Sequence, residues 1–307
     1  MNTPLQGAVL GHPIGHSKSP ALHNAAYALL GANFSYRAID VEVPGLAGFL
    51  AQVRAEGNWY GLSVTMPLKN EAAELVDELT AVARVLASVN TIIATTNDAG
   101  TTTLRGENTD VAGIVNALRH AGARERPRAA ILGGGGTAVA AVAALAQLGA
   151  VETVVFVRNP AKAAGTLDVA AALDTPVALE LFEGAAHVLG GFDVVISTLP
   201  PRGADGLAAE FAADMHARGA MLERAVLLDV AYDPWPSALA QAWESCGGTV
   251  VAGIEMLLYQ GVEQVKLFAE AGGYGTLATD QVGDVINVMC DAIGVHRRNP
   301  HEQNMAG

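Results

Sequence analysis

Lys69 stands two positions after Pro67 in the run Ser63-Val64-Thr65-Met66-Pro67-Leu68-Lys69. Pro67 marks the first position of a helix, so the lysine falls in the first turn, where the helix's positive end disfavours a cation by about 0.3 to 1 kcal/mol. A broken local rule of this kind points to function, and a lysine so placed is a candidate proton donor, against the commoner reading of a solvated surface lysine. Asp110 precedes the helical run Val111 to Leu118 and reads first as a helix N-cap, a task open to Thr109 as well. Ser17 and Ser19 alternate in the loop after the first apolar run, where open α/β sheets bind ligands, and Ser19 is also placed to cap the next helix. Gln260 sits in an otherwise apolar helix, as a satisfied core amide or a ligand contact. No metal is expected: Pro13 breaks the spacing of His12, His16 and His23, and no carboxylate or cysteine cluster accompanies them.

A second chemistry is written in Gly133-Gly134-Gly135-Gly136-Thr137-Ala138, a G-x-G-x-x-A match between an apolar strand and a helix. One glycine makes the tight turn, one lets the backbone approach a pyrophosphate, and a small residue packs helix on strand, with the anion at the helix N-terminus. No Gly-Lys-Ser/Thr follows, which disfavours a nucleotide triphosphate loop. About 20 residues on, where an NAD site usually places a carboxylate, the chain reads Val157-Arg158-Asn159-Pro160-Ala161-Lys162. Arginine there suits a 2′-phosphate and favours NADP(H), the alternative being a solvated pair of surface cations.

The elements that must position these groups follow from periodicity and punctuation. Ala8-Val9-Leu10 is a strand, and Ser19 caps a helix that has Pro20 first and Gly31 past its end. Phe34 to Val41 is a strand, Gly45 to Gly57 a helix and Gly61 to Thr65 a strand that leads into the helix from Pro67. Asn90 to Thr96 and Thr101 to Gly106 flank Asn97-Asp98-Ala99-Gly100, a hairpin signal. A second βα series begins at Arg128, with strands near 129–133, 153–158, 193–198, 226–230 and 249–252. Two helices carry Ile254 to Val265 and Val282 to Ile293, and they are expected to pack back on the first domain and leave a cleft between the sheets. The fold class is α/β with two doubly wound domains. An N-terminal substrate domain with a mainly parallel sheet takes residues 1–112 and the helices of 255–295, a Rossmann domain takes 113–254, and 296–307 is expected to be a disordered tail.

Composition narrows the partners. Lys and Arg number 18 against 31 Asp and Glu, a formal charge of −13, which argues against nucleic acid and anionic membranes. Hydrophobic residues make up 51% and charged ones 16%, enough apolar surface for packed cores and too little charge for a disordered chain. Ala129 to Val151 is uncharged, but four glycines and many alanines make it a strand and helix rather than a span. No secretory signal opens the sequence, and Cys246 and Cys290 show no disulfide or zinc spacing, so a reducing cytoplasm fits.

Taken in order, Gly11-His12-Pro13-Ile14-Gly15-His16-Ser17-Lys18-Ser19-Pro20, the Lys69 run, Ser88-Val89-Asn90-Thr91, Glu107-Asn108-Thr109-Asp110, the glycine loop, Asp229-Val230-Ala231-Tyr232-Asp233-Pro234-Trp235-Pro236 and Gly253 to Gln260 closely resemble the shikimate dehydrogenases. The resemblance spans all but the polar tail. It implies reversible hydride transfer between 3-dehydroshikimate with NADPH and shikimate with NADP⁺, with Lys69 and Asp110 as the catalytic pair. It implies that Ser17, Ser19, Thr65, Lys69, Asn90, Asp110, Tyr232 and Gln260 hold the substrate, and that Gly133, Gly135, Gly136, Thr137, Ala138, Arg158, Asn159, Lys162 and Gly253 hold NADP. The family's common Asn-Arg order after the second Rossmann strand is reversed here as Arg158-Asn159. The implied partner is a small molecule, with a homodimer left open. An NAD-dependent quinate/shikimate dehydrogenase shares most of these motifs. A non-catalytic dinucleotide or metabolite sensor would need neither Lys69 nor Asp110.

Overall fold

The computed structural model describes residues 3–298. The chain forms two compact units: residues up to Thr109 joined by those from Leu258 onward, and Asp110–Leu257.

The first unit opens with β1 (Leu5–Gly11), α1 (Ser19–Leu30), β2 (Phe34–Asp40), α2 (Val43–Glu56) and β3 (Trp59–Val64). β1 pairs in parallel with β2 and β3, as the strand–helix alternation requires. α3 (Lys69–Leu75), β4 (Glu78–Leu79) and α4 (Ala81–Leu86) follow, then the antiparallel pair β5 (Thr91–Thr96) and β6 (Thr102–Glu107). Its turn is the one read from sequence: the Asn97 side-chain oxygen accepts from the amides of Ala99 and Thr101 at 3.1 and 2.9 Å, and Gly100 takes φ +77°. The sheet order is β2-β1-β3-β5-β6-β4. Two-residue β4 was not expected, because so short a segment shows no period. Leu10, Leu46, Leu50, Leu62 and Leu68 share the core on one side of this sheet.

Two helix starts differ from expectation. Lys18 is the N-cap of α1, without a capping bond from its side chain, and Ser19 is the helix's first residue. α3 starts at Lys69 instead of Pro67, because Pro67 is spent in a turn closed by the Leu68 amide on the Thr65 carbonyl at 2.9 Å. Lys69 therefore occupies the first position of its helix.

The second unit runs α5 (Asp110–His120), β7 (Arg128–Leu132), α6 (Gly136–Gln147), β8 (Glu152–Val157), α7 (Ala164–Ala172), β9 (Val177–Leu181), β10 (Val194–Ser197), α8 (Asp205–Arg218), β11 (Val226–Asp229), α9 (Ala238–Ser245) and β12 (Thr249–Ala252). All its strands are parallel, in the order β12-β11-β10-β7-β8-β9, which is a doubly wound sheet with its switch point between β7 and β10. β9 escaped the sequence reading because it is an edge strand with no continuous buried run. The uncharged stretch Ala129 to Val151 divides into β7, the glycine turn and α6, and among the described residues no helix is long and apolar enough to cross a membrane.

α10 (Gly253–Ala271) and α11 (Thr279–Ile293) close the fold. α11 packs on α1, and the Phe268 ring of α10 sits where a side chain on Gly61 of β3 would collide with it. The expected tail is ordered further than its sequence indicated. The Arg297 guanidinium pairs with Asp291 at 2.6 Å, and buried Arg298 lies over the Tyr259 ring with its amide donating to the Asn287 side chain at 2.8 Å. Residues 299–307 lie outside the described residues.

Candidate active site

The serine loop between β1 and α1 is held by Asp40 at the end of β2. One Asp40 oxygen lies 2.7 Å from His12 Nδ1 and the other accepts the Ile14 amide at 3.2 Å. That hydrogen bond holds the His12 imidazole above its ordinary pKa and the Asp40 carboxyl below its own. Ser17 is half-buried and Ser19 buried. Across the sheet the Thr65 amide donates to the Leu10 carbonyl at 2.9 Å, and the Lys69 carbonyl accepts the Val89 amide at 2.9 Å, so the turn carrying Thr65 and Lys69 is pinned at both ends.

Asn90, at the entry to β5, is 2% exposed and fully knitted. Its side-chain oxygen accepts from the Thr109 amide at 2.8 Å and the Thr91 hydroxyl at 2.7 Å. Its NH₂ then faces Thr109 Oγ1 at 3.0 Å and Gln260 Oε1 at 3.3 Å. Since the Thr109 amide can only donate, this pattern fixes which way the Asn90 amide points. Thr65, Lys69, Asn90 and Gln260 thus stand on three segments of one unit, with Asn90 and Gln260 in direct contact. Thr109, read only as a capping alternative, joins them.

Asp110 is buried at the first position of α5, and Tyr232 is half-buried in the loop after β11, where burial pushes its phenol up. Both belong to the second unit. In that loop the Ser237 hydroxyl donates to the buried Asp229 carboxylate at 2.6 Å while accepting the Ala240 amide at 3.0 Å, which ties the strand end to the α9 cap. Desolvation raises the Asp229 carboxyl above its usual range.

The glycine loop meets the physical demands placed on it. Gly133 has φ +104°, a Cβ on Gly134 would lie 2.7 Å from the Ala163 methyl, and Gly135 faces open space where a Cβ would meet nothing. Gly135 is the N-cap of α6, and the first amides of a helix lack carbonyl partners one turn back, which makes this end suited to an anion. Ala138 is fully buried, which fits its packing role. Arg158 follows β8, donates to the Gly203 carbonyl at 2.8 Å and lies over the Phe182 ring at 5.1 Å. Asn159 spends its side-chain oxygen on the Ala161 amide at 3.0 Å, capping a short 3₁₀ turn. The Lys162 side chain lies outside the described residues. Gly253 begins α10 with its α-carbon against the Val230 carbonyl, leaving no room for a side chain.

Two residues close to this constellation were not singled out as site residues. Gln264 is one turn after Gln260, and by sequence His23 reads only as a metal ligand; the available signal is polar residues one turn from other polar residues on apolar helices.

The chain as a whole is similar to known proteins. A sequence profile of the shikimate dehydrogenase substrate binding domain matches residues 9–92. The chain is 37% identical over 259 residues to the shikimate dehydrogenase (NADP(+)) of Rubrobacter xylanophilus, covering 83% of this chain and 87% of that protein. Among solved structures, shikimate dehydrogenase of Mycobacterium tuberculosis matches at 36% identity and TM-score 0.77, over 92% of this chain and 99% of that one. A shikimate 5-dehydrogenase of Thermus thermophilus in complex with NADP(H) and shikimate matches at 26% identity and TM-score 0.72, over 93% and 99% of the two chains.

Proposed function

Because the chain belongs to the shikimate dehydrogenase family, we propose that it catalyses the reversible NADPH-dependent reduction of 3-dehydroshikimate to shikimate, a step of aromatic amino acid (chorismate) biosynthesis. The observation that carries the reading is near full-length similarity at 37% identity to an NADP(+)-dependent member. The buried Asn90–Thr109–Gln260 cluster supports it, since polar side chains gathered at the entry to β5, where that strand pairs antiparallel with β3, suit a polyhydroxylated acid.

The substrate domain supplies the binding groups. Ser17 and Ser19 take the carboxylate, Thr65, Asn90 and Gln260 take ring hydroxyls, and Tyr232 is a further proposed substrate contact. Lys69 donates the proton that converts the forming alkoxide to the product hydroxyl, and Asp110 orients the ammonium and the same oxygen. In the oxidative direction Lys69 takes that proton back. The glycine-loop residues Gly133, Gly135, Gly136, Thr137 and Ala138 suit the cofactor's pyrophosphate, and Arg158, Asn159, Lys162 and Gly253 complete its proposed contacts. NADPH, when bound there, supplies the hydride. Cys246 and Cys290 are buried thiols outside any disulfide, which suits a cytoplasmic enzyme.

Assaying the purified protein with shikimate or quinate, each with NADP⁺ or NAD⁺, tests the reading. The highest kcat/KM is expected for shikimate with NADP⁺. Preference for quinate with NAD⁺ would instead identify a quinate/shikimate dehydrogenase, and dinucleotide binding without turnover would identify a sensor.

A further inference from the structure

Ser19 and Gln260 share an arrangement: each has, one helical turn further along its own helix, a buried polar residue that faces the other's. His23 follows Ser19 by four residues on α1, and Gln264 follows Gln260 by four on α10, which places each pair on one helix face. His23 is 0% exposed and Gln264 1%. Neither has surface from which to touch a substrate.

The hydrogen bonds between them have a forced direction. Gln264 Nε2 lies 3.2 Å from the Asn90 carbonyl, which can only accept, so this end of the amide is the NH₂ group. It also donates to Thr91 Oγ1 at 2.8 Å, and the Thr91 hydroxyl passes its own proton to Asn90 Oδ1 at 2.7 Å. Gln264 Oε1 is therefore an acceptor. It receives the Ser63 hydroxyl at 2.7 Å, which in turn receives the Tyr36 hydroxyl at 2.5 Å. It also faces His23 Nε2 at 3.2 Å, so that nitrogen carries the imidazole proton and Nδ1 accepts the Tyr27 hydroxyl at 3.0 Å. The His23 ring is stacked on Tyr36, with centroids 4.1 Å apart and planes within 5°. A single amide thus ties α1, β3, β5 and α10 together, and its NH₂ end grips both the backbone carbonyl of Asn90 and the hydroxyl that orients the Asn90 side chain.

We propose that Gln264 and His23 are positioning residues, a buried polar layer one turn behind the substrate groups that holds Ser19, Asn90 and Gln260 in register and thereby sets affinity for the substrate. This rests on the shikimate reading above.

Gln264→Met removes both donors and the acceptor at similar volume, and His23→Phe keeps the stack on Tyr36 while removing the Nε2 proton. Steady-state kinetics with shikimate and NADP⁺ separate the effects. Gln264→Met should raise KM for shikimate about 5- to 100-fold, the equivalent of roughly 1 to 3 kcal/mol for a disturbed buried polar contact. KM for NADP⁺ should stay within about twofold, since the glycine loop lies in the other unit. His23→Phe should act in the same direction by less, and the double variant should fall short of the product of the two, because both act through one amide. If both variants fail to fold, Tyr36→Phe, which removes only the hydroxyl feeding Ser63, carries the same test. A lowered melting temperature with an unchanged shikimate KM, or equal losses for shikimate and NADP⁺, would overturn the positioning role. Wild-type protein inactive on shikimate would sink the functional reading instead.

Discussion

The Ser19 backbone amide donates to the Ser17 hydroxyl at 3.3 Å, so the first serine supports the second. Ser19 is the first residue of α1, one past the N-cap position that Lys18 holds, which removes the capping explanation for a serine at this position. Wild-type enzyme should prefer shikimate to quinate, which bears an additional ring hydroxyl. Ser19→Thr should shift that ratio by up to about 10- to 100-fold, the range for a displaced buried polar contact of about 1 to 3 kcal/mol. The check is kcat/KM for both acids in both proteins, and an unchanged ratio in the variant would remove Ser19 from substrate selection.

Lys69→Ala and Asp110→Asn should each lower kcat by about 10²- to 10⁴-fold with a smaller change in substrate binding, as expected when a positioned acid or base is lost. Turnover at saturating shikimate decides it. Near wild-type rates in both variants would mean that proton transfer is carried by other groups.

Arg158 is engaged with the Gly203 carbonyl and the Phe182 ring, so it is held at the end of β8 and is not a freely solvated arginine. Arg158→Ala should weaken NADP⁺ by about 10- to 100-fold, because a hydrogen bond to a charged phosphate is worth roughly 1.5 to 3 kcal/mol, while NAD⁺ changes little. Titration calorimetry with the two cofactors separates the outcomes. Equal weakening would show that the residue serves only to anchor the Gly203 loop.

Burial lowers the His23 pKa to about 3, and this has a sign. The unfolded chain binds a proton at this residue below about 6.5 while the folded one stays neutral, so the contribution to stability is complete above 6.5 and is lost as pH falls toward 3. The slope is at most about 1.4 kcal/mol per pH unit. Urea unfolding between pH 4 and pH 7 should therefore show a shallower pH dependence for His23→Phe than for wild type. Parallel curves would mean that His23 is protonated in the folded protein.

Gly253→Ala should destabilise the second unit by about 1 to 3 kcal/mol, because the new methyl meets the Val230 backbone, which has no rotamer with which to yield. A drop in the urea midpoint with or without NADP⁺ is the expected result. Unchanged stability with weakened NADP⁺ would make Gly253 a cofactor contact alone.

The features legible in the sequence were those whose physical cause is local. Gly133 to Ala138 must turn tightly between a strand and a helix, Asn97 to Gly100 must make a hairpin turn, and the alternation of apolar runs with helical periods requires mainly parallel sheets; each depends on residues a few positions apart. The resemblance to a family added the roles of Lys69 and Asp110, which spacing alone left between function and the ordinary surface or capping readings. Tertiary structure decided what depends on distant partners. Ser19 looks like a cap until Lys18 is seen to take that place, and Pro67 looks like a helix start until the Thr65–Leu68 turn claims it. Arg298 reads as part of a polar tail until Tyr259 lies beneath it. Gln264 bonds to Ser63 and faces His23 across 201 and 241 residues of chain. Periodicity records which face of an element is buried, but a buried amide is stable only where its donors and acceptors are met, and for Gln264 those partners are brought within reach only when four separate elements have packed.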